Sequence, residues 1–183
     1  MVERSVVLEN IELKYTGIFD VKEFYKLMDD WFQEKGYDKE VIKHLEEVTD
    51  KGKQITMLIA PYRKVSDYLR YVMKIWVYLF DVTEIEVKKD NTKVKLNKGR
   101  IMLSFDAFLD TDYENRWEQK PLYVFLRSLF DKFIHRQEIE KYEVQLAEEV
   151  DTLMTEVKSF LNLYRYGVSI RARKPSEHPG YRY

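Results

Sequence analysis

Residues 66–80 read Ser-Asp-Tyr-Leu-Arg-Tyr-Val-Met-Lys-Ile-Trp-Val-Tyr-Leu-Phe. The run is dense in β-branched and aromatic residues and holds no glycine or proline. That is the composition of a strand packed against neighbours. Working outward, the chain on both sides breaks into further strands. Toward the N-terminus, Glu40–Thr49 and Lys53–Tyr62 flank Asp50-Lys51-Gly52, a hairpin signal. Pro61 puts the second of these near its end or on an edge. Toward the C-terminus, Val82–Lys88 and Lys93–Leu96 flank Lys89-Asp90-Asn91-Thr92, a second hairpin turn. Asn97-Lys98-Gly99 then reads as a turn into Arg100–Leu109, where Ile101, Leu103 and Phe105 share one face. Ser5–Tyr15 is a further strand, with Ile11, Leu13 and Tyr15 alternating against Glu12 and Lys14.

Helices bracket this series. After Gly17, Asp20 is a good N-cap with Glu23 at capping-box spacing. Val21, Phe24, Leu27, Met28, Trp31 and Phe32 recur at helical spacing and stop at Lys35-Gly36, a cation and a C′ glycine. The second helix begins near Pro121, a residue suited to a first turn. Its apolar positions run Leu122, Leu126, Leu129, Phe133, Ile139, Tyr142, Leu146, Val150, Leu153, Val157, Phe160 and Tyr164. This predicts about 45 helical residues, roughly 65 Å long, with a kink expected at 135–138 where the stripe skips a beat. The first half is broadly apolar and must cover a sheet. The narrower stripe of 136–166 suits one helical neighbour, so a homodimer through this helix is an expectation.

The order is strand, helix, antiparallel strands, long helix. This order resembles the helix-grip superfamily, the START and Bet v 1-like domains. The resemblance covers residues 5 to about 145 and implies a curved sheet gripping the final helix, with a cavity between them. The expected fold class is therefore α+β, with a curved antiparallel sheet of about six to seven strands. An amphipathic helix follows strand one, and the long C-terminal helix packs on the sheet. Residues 1–166 form a single domain, with 136–166 as an interaction arm, and 167–183 form a tail.

Composition removes several functions. The chain has 183 residues, which argues for one domain large enough to bury a core without staples. It has no cysteine, so disulfides, thiolate metal sites and cysteine nucleophiles are excluded. Its six glycines are far apart, which removes P-loop and dinucleotide fingerprints. Asp110, Asp112 and Glu114 alternate like the start of a calcium loop. Asn115 and Pro121 stand where the loop needs glycine and glutamate, so the pattern fails. No cofactor and no metal site is expected. Met1-Val2-Glu3-Arg4 opens without an apolar leader segment, and Ile75–Phe80 and Pro121–Leu126 are too short to span a membrane, which needs about 20 residues. With zero cysteine, a cytoplasmic protein with no membrane partner is the expectation.

Charge is unevenly placed. Arg165, Arg171, Arg173, Lys174 and Arg182 against Glu177 give the C-terminal segment a charge of +4. The whole chain is −1, so the body carries −5.

These features yield a main reading and two alternatives. Aromatic residues are 15% of the chain. Most belong to the core. Trp76, Tyr78, Phe105 and Tyr123 are candidate wall residues of a pocket for an apolar or amphipathic small molecule between sheet and long helix. The main expectation is a non-enzymatic binding module, taking such a ligand or acting as a protein adaptor. The first alternative is an RNA- or ribosome-associated factor. Its contacts would be Tyr164, Arg165, Tyr166, Arg171, Arg173, Lys174 and Arg182, which combine phosphate forks with stacking faces. The same tail could instead meet an acidic protein surface. The second alternative is an enzyme using carboxylate acid/base chemistry, with Asp106, Asp110 or His135 in that role. His44, His135 and His178 lie in three separate segments, and none has a nucleophile motif beside it.

Overall fold

The computed structural model describes residues 3–89, 92–111, 113 and 135–161. The fold is α+β. Strand β1 (Glu3–Phe19) is followed by helix α1 (Val21–Glu34), then β2 (Asp38–Thr49), β3 (Gly52–Lys64), β4 (Leu69–Lys89) and β5 (Thr92–Thr111). Helix α2 (His135–Phe160) closes the described chain. The strands form one antiparallel sheet in the order β1-β5-β4-β3-β2. Among the described strands, the first therefore pairs with the last.

The described residues form five strands, against the six or seven expected. The expected pieces 66–80 and 82–88 are one strand, and so are 93–96 and 100–109. What reads as punctuation at Asp81 and at Asn97-Lys98-Gly99 is a β-bulge. Asp81 adopts φ 55° and the β4–β5 register shifts between Phe80 and Thr83. Gly99 serves close approach here, not a turn. A Cβ on it would lie 2.9 Å from the Phe80 carbonyl oxygen. The two hairpins hold as expected: Thr49 faces Gly52, and Lys89 faces Thr92.

Helix α1 forms as its sequence dictates. The Asp20 carboxylate accepts hydrogen bonds from the Lys22 and Glu23 amides, and Gly36 leaves the helix at φ 72°. The C-terminal helix is described over 135–160. The expected stretches 121–134 and 162–166, and the tail 167–183, lie outside the described residues.

Both helices cover the same face of the sheet. Ile11, Leu13, Ile55, Ile59, Tyr71, Met73, Ile75, Val77, Leu79, Ile101, Leu103, Phe105 and Leu109 point inward, at 0–8% exposure. They meet Phe24, Met28, Trp31 and Phe32 of α1, and Leu146, Val150, Leu153 and Val157 of α2, in one cluster. A polar clamp fastens α2 to the margin of this layer. Glu149 accepts from the Tyr37 hydroxyl and from Arg63 Nη2, each at 2.6 Å. Arg63 also donates to the Lys35 carbonyl at 2.8 Å and lies over the Tyr37 and Tyr71 rings. Burial first, and then its bond to Glu149, raise the Tyr37 phenol well above the ordinary tyrosine range. Burial likewise pushes Tyr71 up to about 12.

Candidate functional site

Side chains alternate along a strand, so the residues between the inward ones define the opposite, outer face. On β4 these are Arg70, Val72, Lys74, Trp76, Tyr78 and Phe80. Register places Leu58 of β3 and Ser104 of β5 beside Trp76, and Thr56 and Met102 beside Tyr78. No described helix packs on this face. Even so, Leu58, Trp76, Tyr78, Phe80 and Met102 are only half-exposed, because they shield one another.

The three rings form a ladder. Trp76 and Tyr78 stack at 5.7 Å and 6°, and Tyr78 and Phe80 at 6.1 Å and 5°. The ladder's end is closed by Arg100, whose guanidinium sits 5.4 Å from the Phe80 ring centre and pairs with Asp81 at 2.6 Å. Further along the face, Arg4 and Lys74 both lie over Phe108, at 5.1 and 5.6 Å. The rings are thus flanked by one another or by cations.

A charged bar closes the far end. Asp110, fully buried, lies on β5 between Arg4 of β1 and Arg70 of β4. It accepts from Arg4 Nε at 2.6 Å and Nη2 at 2.9 Å, and from Arg70 Nη2 at 2.8 Å. Burial alone would raise its carboxyl. The two guanidiniums outweigh this and hold it below the usual carboxylate range. Tyr113 continues from this end, with Arg70 and Lys64 over its ring.

The structure separates the residues expected to line a pocket. Trp76 and Tyr78 lie on the outer face. Phe105 lies on the inner face at 1% exposure. These three therefore do not line one space between sheet and helix. Tyr123 lies outside the described residues, as do Tyr164, Arg165, Tyr166, Arg171, Arg173, Lys174 and Arg182. Of the candidate acid/base groups, Asp106 accepts the Asn10 amide at 2.7 Å, Asp110 is bound by two arginines, and His135 opens α2. Asp106 and Asp110 share a strand, each already engaged, and the His135 side chain lies outside what is described. Among the described residues, no group of three or more His, Cys, Asp or Glu is placed to hold a metal, and no helix is long and apolar enough to cross a membrane.

The outer-face partners Leu58, Phe80, Met102 and Phe108 were not singled out from sequence. The signal was present in residues 74–80, where apolar residues occupy both parities of the strand. Such a strand buries one face and leaves the other with apolar cover still to find. Comparison with models of protein families, with curated proteins and with solved structures finds no match for this chain.

Proposed function

We propose that the chain is a non-enzymatic, protein-binding module that presents the outer face of its sheet to a partner polypeptide. The observation that carries the reading is the Trp76–Tyr78–Phe80 ladder with Leu58 and Met102 beside it, on a face no described element covers. Aromatic rings at the centre of a patch with arginines at its margin are the composition of binding hot spots.

The charge pattern selects the class of partner. Around the ladder, Lys14, Lys43, Lys74 and Arg100 are interspersed with Glu12, Glu40, Glu47 and Asp106 on the same face. A surface that tracks phosphates needs a cation excess, which this rim lacks. Base stacking also needs free ring faces, and these rings are flanked by one another and by Arg100. An aliphatic protein surface fringed by charges of both signs fits both observations.

The test places a photo-reactive phenylalanine analogue at position 78 of the full chain. The expected result is a covalent adduct to one polypeptide, identified by mass spectrometry and then titrated in purified form. Trp76→Thr should weaken that binding about tenfold or more, the loss expected of a hot-spot aromatic. Three results would refute the reading. One is a small molecule held stoichiometrically in native mass spectrometry. Another is RNA released from the purified protein by high salt. The third is a fall in Tm above about 10 °C for Trp76→Thr, which would show that the chain covers this face itself.

A further inference from the structure

Strand β2 is an edge strand of 12 residues, all of them exposed. It carries Val41, Ile42, Leu45 and Val48 at 47, 54, 45 and 78% exposure, four of the seven large apolar residues most exposed among those described. One side of its backbone pairs with β3. The other presents N–H and C=O groups that no described strand takes. A long apolar edge of this kind is a template for another strand unless something covers it.

We propose that β2 pairs antiparallel with β2 of a second copy of this chain, about a twofold axis through Leu45. The sequence of the strand carries the argument. A twofold perpendicular to a sheet keeps each face on its own side, so opposed residues must share a face. Register with β3 puts Lys43, Leu45 and Glu47 on the outer face, opposite Leu58, Thr56 and Gln54. His44, Glu46 and Val48 lie on the inner face. With Leu45 facing itself, Lys43 falls opposite Glu47 and His44 opposite Glu46, each twice. The bulge between Val41 and Lys43 then sets Val41 and Ile42 against Val48. The opposite charges of Lys43 and Glu47 meet, and the exposed aliphatics meet. Other centres lose this match. A centre on Glu46 sets that carboxylate against its own copy, and one on His44 sets Lys43 against Leu45. Opposed charges of like sign destabilise a strand pair, so the pattern selects a single register. Lys43 and Glu47 have no ion-pair partner among the described residues, and are free to make this one.

The test stands apart from the outer-face reading and uses the full chain. Light scattering should show a dimer. Lys43→Glu and Glu47→Lys each create two like-charge pairs and should each weaken dimerisation on the order of tenfold or more. Mixing the two variants restores both pairs, one in the native polarity and one reversed, and should restore a heterodimer. That recovery also shows that each variant is folded. Because the chain has no cysteine, Leu45→Cys introduces a lone thiol. Oxidation should link it to its copy across the axis, where opposed Cα atoms are about 4.5–5.5 Å apart. Val48→Cys should not link, since its two copies stand roughly 20 Å apart at about 3.3 Å per residue. A chain that stays monomeric at about 100 μM overturns the proposal. So does a dimer indifferent to both charge reversals, as pairing through α2 would give. Failure of the mixture to pair, or cross-linking at 48 as ready as at 45, overturns it too.

Discussion

Replacing Asp110 by asparagine tests the charged bar that ties β1, β5 and β4 together. The carboxylate is fully buried and takes three hydrogen bonds from two guanidiniums. Asparagine keeps the shape, but offers an NH₂ group to one of the two donors. A hydrogen bond to a charged group contributes about 1.5–3 kcal/mol, so the gross loss is several kcal/mol. The arginine side chains are 40 and 29% exposed, and water takes back part of that. The net cost should be about 2–3 kcal/mol, or a fall in Tm of about 4–12 °C for a domain of this size. Chemical denaturation across pH gives the sharper readout. The folded carboxyl titrates below its unfolded value of about 3.9. Its contribution is therefore complete above about pH 4 and is lost as pH falls through the folded value. The wild type should lead the variant at pH 7, and the gap should close in acid. A gap below about 0.5 kcal/mol at pH 7, the scatter of ordinary surface changes, would refute the reasoning. A gap that persists undiminished at pH 2 would refute it as well.

Two further outcomes follow from the packing. Gly52→Ala should cost about 2 kcal/mol in urea unfolding, because Gly52 holds φ 127° and a Cβ there would lie 2.8 Å from the Val82 carbonyl oxygen. Tyr37→Phe should cost about 1–3 kcal/mol by removing the 2.6 Å bond to Glu149, measured as a shift in the denaturation midpoint.

Local signals in the sequence carried much of this fold. Asp20 and Gly36 bound α1 because capping is decided within one turn of chain. The hairpins at 49–52 and 89–92 are equally local. The strand count was not legible, because a bulge and a turn use the same residues. Asp81 and Gly99 look like punctuation, and only the pairing of β4 with β5 shows the chain running on through them. The site was half legible. Trp76 and Tyr78 stand out by type. Which face of the sheet they occupy depends on where α1 and α2 pack, and periodicity along one strand does not hold that information. Phe105 shows the cost: its parity on β5 puts it with the helices, opposite the two residues it was grouped with.

The pairing of the first strand with the last has a consequence for synthesis. Arg4 meets Asp110 across 106 residues of chain. At about 5–20 residues per second, β1 has left the ribosome for roughly 5–20 s before that partner exists. During this time β2, β3 and β4 can pair in sequence as a meander, since each follows its neighbour. Strand β1 must wait with Ile11, Leu13 and Phe19 exposed. Closing this loop, the longest among the strand pairings described, is thus the step that converts a partial meander into the finished sheet, and the chain is most vulnerable until β5 has emerged.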